Sequence, residues 1–192
     1  MARGGFACPG LLGMLLVILS LWSPLAYAGG VSVTRASTEL RDGSLWLDAD
    51  ARLELFKDQA DALSSGVQLV FAWDVVIEQD RGWWGTRELN TDAWRARLEY
   101  HSLSQLYRVF WSSSGGQSLE PESFASLEGA ADYISHPRNL WLAPASAVPL
   151  PGAYRGRARL RLVHDSLPLP IRPRALFASS WQLSSEWYLW AF

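Results

Sequence analysis

Apolar and polar residues alternate along several stretches of this chain, most clearly over residues 44–56. Leucine or alanine occupies every odd position from Leu45 to Leu55, and mainly charged residues lie between them. A repeat of two residues predicts a β-strand with one buried face and one solvent-exposed face. Residues 31–40 and the turn dipeptide Asp42-Gly43 precede this strand, so the two segments are predicted to form a hairpin.

Residues 67–79 differ from this pattern, because both faces are apolar between positions 69 and 77. Valine, phenylalanine, isoleucine and tryptophan dominate there, which is typical of a central strand. The prolines within residues 165–173 exclude that segment from the centre of a sheet, because proline lacks the backbone donor. Alternating or strand-forming composition predicts further strands over residues 94–100, 105–112, 139–143, 154–164 and 180–192.

Two short segments have helical character instead. Residues 57–65 lack β-branched side chains and end at Gly66, and residues 126–135 carry apolar side chains at helical spacing before Pro137. These helices do not alternate with the seven or eight predicted strands, which disfavours a parallel α/β fold. We therefore predict an all-β protein, an antiparallel two-sheet β-sandwich that is immunoglobulin-like in general architecture and has two short helices inserted.

The beginning of the chain has the composition of a secretory signal peptide. An apolar stretch over residues 11–22 is followed by small residues at Ala26 and Ala28, which predict cleavage between Ala28 and Gly29. Export from the cytoplasm is therefore expected. A retained membrane anchor stays open as an alternative, although the apolar stretch is shorter than the roughly 20 residues that a membrane-spanning helix needs.

After the signal peptide, residues 1–28, the chain is predicted to form a single β-sandwich domain over residues 29–192. The whole chain carries a formal net charge of −2, which argues against a general nucleic-acid binder. The only cysteine, Cys8, lies within the predicted signal, so no disulfide is expected in the exported part.

The sequence contains no recognisable catalytic or cofactor motif. His101, His136 and His164 are isolated from one another, so they match none of the ligand spacings of zinc sites. No G-x-S-x-G elbow, S-x-x-K pair or phosphate-binding loop occurs. We therefore expect no cofactor, no metal and no enzymatic activity.

Four arginines at alternate positions of one predicted strand are the first candidate binding feature. Successive members lie about 6.6 Å apart, and each presents a planar fork suited to carboxylate or phosphate groups. An acidic partner, an acidic glycan or lipid head groups would fit this arginine stripe. A pairing with an acidic stripe of the same period on a neighbouring strand is the structural alternative. The arginine stripe comprises Arg155, Arg157, Arg159 and Arg161, and the acidic stripe comprises Asp48, Asp50 and Glu54.

A tryptophan pair in a predicted turn is the second candidate. Trp83 and Trp84 lie between Gly82 and Gly85, whereas most other tryptophans fall within predicted strands. An exposed aromatic pair suits sugar stacking, a membrane surface or a pocket on a partner, and folding back onto the sheet edge is the alternative.

The end of the chain introduces an alternative fold. Tyr188, Trp190 and Phe192 alternate up to a terminal aromatic residue, a pattern that resembles the ending of outer-membrane β-barrel proteins. Two helices and a proline-rich segment would interrupt such a barrel, so the sandwich is favoured over it.

Several segments together carry a family resemblance. They are Val31-Ser32-Val33, residues 98–105, residues 126–130, residues 160–173 and the ending at residues 181–188. Together they resemble a family of exported bacterial proteins known as domain of unknown function 4390, and the likeness covers nearly all of the chain after the signal. The resemblance implies a Gram-negative envelope protein with a link to a membrane sensor kinase, and it implies no catalytic residues.

We therefore expect a non-enzymatic periplasmic binding or accessory module of the cell envelope. Its expected partner is an envelope protein or an acidic ligand, without nucleic acid and without a stable membrane span. The alternatives are an envelope hydrolase whose site assembles only in space, and a small outer-membrane β-barrel. Such a hydrolase would bring His101 or His164 within hydrogen-bond reach of both a serine and a carboxylate.

Overall fold

The computed structural model describes residues 30–148, 152–167 and 179–192. The predicted signal peptide, with its cleavage site at Ala26, Ala28 and Gly29, lies outside the described residues, as does most of the proline-rich segment. No helix within the described ranges is both long enough and apolar enough to cross a bilayer.

The described residues form nine strands and two α-helices, joined by turns and short 3₁₀ segments. In chain order these are β1 (Val31–Arg41), β2 (Ser44–Leu53), α1 (Lys57–Ser64), β3 (Leu69–Asp80), β4 (Thr86–His101), β5 (Leu106–Ser113), β6 (Glu122–Phe124), α2 (Leu127–Ser135), β7 (Leu140–Pro144), β8 (Ala153–Leu162) and β9 (Tyr188–Ala191). Both predicted helices are present, and the predicted hairpin turns at Asp42, where φ is 52°, and Gly43, where φ is 71°.

The strands pair into two antiparallel sheets. The smaller sheet has the order β1-β2-β7, and the larger has the order β6-β5-β4-β3-β8-β9. These observations confirm the predicted all-β sandwich. Both sheets are open at their edges. The described strands therefore do not form the single closed sheet that the alternating aromatic residues at the end of the chain suggest as an alternative.

The inward-facing residues of both sheets form one hydrophobic cluster. Buried and half-buried residues alternate along β2 from Leu45 to Ala51, as the repeat of two predicts. On β3 almost every residue from Leu69 to Ile77 is buried, which confirms a central strand paired on both edges. The alternating pattern therefore determines which face of each sheet is removed from water.

Two buried indoles link the layers of the fold by hydrogen bonds. Nε1 of Trp73 on β3 donates to the carbonyl of Ile134 on α2 at 3.0 Å. Nε1 of Trp94 on β4 donates to the carbonyl of Trp141 on β7 at 2.8 Å, across the two sheets. Each large aromatic side chain is thereby buried without leaving its polar atom unpaired, which would otherwise cost about 1–3 kcal/mol.

The predicted strand over residues 180–192 is wrong in its extent, because only Tyr188–Ala191 forms a regular strand, β9. Trp181 lies instead in a 3₁₀ turn, where it is buried. Before β9 the chain forms an isolated bridge to β8 between Ser184 and Arg161. Beside it, the Ser185 N–H donates to the Leu160 carbonyl at 2.9 Å, and the Ser185 hydroxyl accepts from the Leu160 N–H at 3.1 Å. Serine hydroxyls that bond to the backbone in this way compete with the backbone-to-backbone hydrogen bonds of a regular strand pair.

We predict that Gly156→Ala destabilises the protein by about 1–3 kcal/mol, because a Cβ at this position overlaps the indole of Trp190. Urea unfolding of the two proteins measures the difference. The same substitution in a Trp190→Ala background should cost much less, since the overlapping ring is then absent.

Gly115→Ala is the matched control for this experiment. The nearest atom to a Cβ at Gly115 is Ser113 Oγ at 3.6 Å, an ordinary contact, so stability should change by less than about 0.5 kcal/mol. Equal effects at the two glycines would contradict the packing that we describe for β8 and β9.

Candidate functional site

The arginine stripe lies on β8, which pairs with the central strand β3. In this register Asp74 is opposite Arg159, and Glu78 is opposite Arg155. The side chains on this outer face of the larger sheet are therefore cross-strand or diagonal neighbours, at distances where opposite charges interact.

Each arginine of the stripe forms an ion pair with a carboxylate of β3. Asp74 accepts from both Arg159 at 2.9 Å and Arg161 at 2.7 Å. Nη2 of Arg157 lies 3.2 Å from Oε1 of Glu78 and 3.9 Å from Oε2 of Glu88 on β4. Nη2 of Arg155 lies 2.6 Å from Oδ2 of Asp80. The stripe is thus neutralised within the sheet.

The predicted pairing of this stripe with Asp48, Asp50 and Glu54 is wrong. These residues lie on or just after β2, which belongs to the smaller sheet, whereas β8 belongs to the larger one. Asp50 forms its ion pair with Arg138, and Asp48 Oδ1 accepts from the backbone of Asn139 at 2.7 Å. The expected type of interaction is present, but the acidic strand is β3.

An indole covers part of the arginine stripe. The guanidinium carbons of Arg157 and Arg159 lie 5.0 Å and 4.6 Å from the ring centre of Trp187. These distances allow cation–π attraction. Nearby, the hydrogen bonds that Arg161 donates to Asp74 raise the pKa of its guanidinium above the usual value. Ion pairs and aromatic contact together hold these arginines in fixed positions.

A second group of arginines lies on the same outer face and is not neutralised in this way. Arg95 and Arg97 of β4 are exposed, and no ion pair joins either to a described carboxylate. Arg97 and Arg108 both lie over the ring of Phe110, at 4.6 Å and 5.0 Å from its centre. A shallow cavity of about 550 Å³ adjoins Arg95, Arg97 and Phe110.

Sequence reasoning missed this second group as a site. Arg95 and Arg97 alternate with buried residues in the same way as the arginine stripe. Their spacing was therefore a usable signal, but whether a carboxylate lies close enough to form an ion pair depends on which strands pair with β4.

The tryptophan pair occupies the tip of the hairpin that joins β3 to β4. Trp83 is 98% exposed and Trp84 is 84% exposed, so the pair does not fold back onto the sheet edge. The backbone N–H of Arg81 donates to the carbonyl of Gly85 at 2.8 Å, which closes the turn. Glycine suits both ends of the pair, because φ is 59° at Gly82 and 79° at Gly85.

Asp80 ties this turn to β8. Its Oδ1 accepts from the backbone of Gly82 at 2.8 Å, and its Oδ2 accepts from Arg155 at 2.6 Å. Arg81 and Arg87 flank the tryptophans, both are exposed, and neither has a recorded ion pair with any described residue. The hairpin tip therefore combines two indoles with two cations that are available to a partner.

The histidines do not form the relay that a serine hydrolase needs. His101 Nδ1 lies 3.0 Å from Ser104 Oγ, and His164 Nε2 bonds to the carbonyl of Trp181 at 2.8 Å rather than to a serine. His136 Nδ1 is near both the Asp132 carboxylate, at 3.1 Å, and Ser135 Oγ, at 3.3 Å. A relay uses opposite ring nitrogens for acid and serine, whereas here one nitrogen serves both.

In the part of the chain that the structure describes, no group of three or more histidine, cysteine, aspartate or glutamate side chains converges as a metal site would require.

Comparison with known proteins identifies one family. The family model described as Domain of unknown function (DUF4390) matches residues 28–191. Neither the curated proteins nor the solved structures contain a match.

We predict that Asp74→Asn destabilises the protein by about 1–3 kcal/mol, because it removes the carboxylate that Arg159 and Arg161 share. Urea unfolding measures the change, and Asp61→Asn on the exposed face of α1 is the matched control. Asp61 pairs only with solvent-exposed Lys57, so its substitution should change stability by less than about 0.5 kcal/mol. Equal losses of stability in the two variants would show that the ion pairs between Asp74 and β8 stabilise the protein no more than an exposed surface pair does.

Proposed function

We propose that this chain, which belongs to the DUF4390 family, is a non-enzymatic binding or accessory module exported to the periplasm of a Gram-negative cell. In this proposal the turn Trp83-Trp84 contacts the partner, which is an envelope protein or an acidic ligand. A membrane sensor kinase is the partner system that the family resemblance suggests.

The exposure of the tryptophan pair is the observation that carries this proposal. Trp83 and Trp84 leave 98% and 84% of their surface in solvent, on a turn that is closed by backbone hydrogen bonds. Indoles provide a large contact area at a low entropy cost, and they are enriched among the residues that dominate binding energies. A turn that is already ordered reduces that entropy cost further.

The charges around the turn favour an anionic surface on the partner. Arg81 and Arg87 are exposed beside the indoles, and no ion pair with a described residue neutralises them. The arginine stripe on β8 supports binding less well, because each of its members already has a carboxylate partner. We therefore assign the binding role to the turn and a mainly structural role to the stripe.

Crosslinking in the native envelope tests this proposal. The tagged protein is crosslinked in its own cells, and the captured proteins are identified by mass spectrometry. We predict that Trp83→Ala with Trp84→Ala lowers the yield of the specific partner at least tenfold, since loss of one dominant aromatic contact typically costs about 2 kcal/mol or more. Undiminished crosslinking by this double variant would remove the turn from the binding site.

Two further variants serve as controls. Leu103→Ala removes an apolar side chain that is 91% exposed in a different turn, so it should leave the crosslinks unchanged. Arg157→Ser with Arg159→Ser should also retain the partner if the stripe is structural. Loss of the partner in that variant, with an intact far-UV spectrum, would return the binding role to β8.

A further inference from the structure

The outer face of the larger sheet carries two positive charges that form no ion pair within the chain. Arg95 and Arg97 on β4 are exposed, and no ion pair joins either to a described residue. The described ranges include every aspartate and glutamate of the sequence. The two guanidinium groups are therefore available to an anion from outside the chain.

The carboxylates that register brings closest to these arginines have other partners. Asp74 lies diagonally opposite Arg95 across the β3–β4 pair, but two arginines of β8 share its oxygens. Glu99 follows Arg97 on the same face of β4, and it accepts a hydrogen bond from Gln68 Nε2 at 2.9 Å. Both carboxylates lie on the same face as the exposed arginines without pairing with them.

An aromatic ring holds Arg97 in position. The guanidinium carbon of Arg97 lies 4.6 Å from the centre of the Phe110 ring, and that of Arg108 lies 5.0 Å from the same centre. The face of a ring attracts a cation through its quadrupole but carries no net charge. The guanidinium of Arg97 is therefore ordered while it keeps its charge, which lowers the cost of binding an anion.

The shallow cavity of about 550 Å³ beside these arginines combines apolar and polar surface. Its polar lining includes Ser112 and Ser118, which are paired by an isolated bridge. Both serines are exposed, and neither hydroxyl has a recorded hydrogen bond to a described residue. The apolar lining comprises Val70, Phe110, Leu119 and Pro121.

The charge of the cavity favours a ligand with more than one negative charge. Among the described residues that line it, Glu120 is the one acid, against Arg95 and Arg97. Arg108 adds a further positive charge beside Phe110. A phosphomonoester carries about 1.5 to 2 negative charges near pH 7 and has three strong acceptor oxygens. Planar guanidinium forks suit phosphate geometry, so these donors match a phosphomonoester better than a single carboxylate.

We propose that this cavity binds a phosphomonoester that is attached to an apolar group. The phosphate oxygens accept hydrogen bonds from Arg95 and Arg97, and the apolar group contacts Phe110 and Leu119. This site is independent of the tryptophan turn, because Arg95 lies nine residues along β4 from Thr86, where the strand begins after that turn.

Isothermal titration calorimetry with naphthyl phosphate tests the chemistry, on the protein purified from its own host. Inorganic phosphate lacks the ring, naphthol lacks the charge, and naphthoate has a single charge. We expect naphthyl phosphate to bind at least tenfold more tightly than inorganic phosphate or naphthol, equivalent to about 1.4 kcal/mol or more. It should also bind more tightly than naphthoate. Absence of binding by naphthyl phosphate would overturn the proposal, and so would equal affinity for any of the three comparison compounds.

Substitution of the two arginines tests the location of the site. Arg95→Gln with Arg97→Gln should lower the affinity for naphthyl phosphate at least tenfold. Arg35→Gln is the matched control, because Arg35 is an exposed arginine on β1 that likewise has no recorded ion pair with a described residue. The control should bind as the unsubstituted protein does. An unaltered affinity in the double variant would contradict the assignment of the phosphate to these arginines.

Removal of the acid in the cavity tests the site in the opposite direction. Glu120→Gln deletes a negative charge from an exposed residue, so the variant should fold normally and bind naphthyl phosphate more tightly. A gain in affinity cannot result from partial unfolding, which makes this result independent of the stability of the double variant. An unchanged or lower affinity would count against the cavity as the binding site.

Vesicle flotation distinguishes a lipid head group from a soluble phosphomonoester. The vesicles consist of phosphatidylcholine with or without phosphatidic acid, whose head group is a phosphomonoester. Flotation that requires both phosphatidic acid and the two arginines would identify a lipid as the source. Binding of naphthyl phosphate without such flotation would identify a soluble compound. Flotation that the double arginine variant retains, together with no binding of naphthyl phosphate, would overturn the proposal and leave the tryptophan turn unaffected.

Discussion

The central strand β3 pairs with β4 along one edge and with β8 along the other, over almost its whole length. Its inward face buries Phe71, Trp73 and Ile77, and its outward face carries the carboxylates that neutralise β8. One strand therefore holds both the hydrophobic core and the surface charges in register. The position of the tryptophan turn depends on it as well, because that turn is the connection that leaves its C-terminal end.

Much of the fold follows from local pattern, because the period of two in β2 and the apolar run of β3 are properties of consecutive residues. Burial along these strands agrees with those patterns, and α2 begins after Ser126, whose side chain accepts from the Gly129 N–H at 3.1 Å. The chain end was harder to predict. Between Trp181 and Tyr188 the chain forms an isolated backbone bridge to β8 instead of a continuous ladder, and the Ser185 hydroxyl accepts from the Leu160 N–H; aromatic alternation indicates neither.

The candidate sites likewise differ in whether consecutive residues or the order of the strands determines them. The exposure of Trp83 and Trp84 follows from two adjacent indoles between glycines in a short turn, which is local information. The carboxylate that binds Arg159 lies 85 residues earlier, at Asp74, and only the order of strands brings the two together. Features that depend on which strands are neighbours cannot be read from spacing alone.

Asp80 uses its two oxygens for different purposes, one to hold the backbone of Gly82 and the other to hold Arg155 on β8. A force applied to the indoles would consequently be shared between the hairpin and a third strand, rather than peeling β3 from β4 alone. Mechanical load at the tip is thus distributed into the body of the sheet.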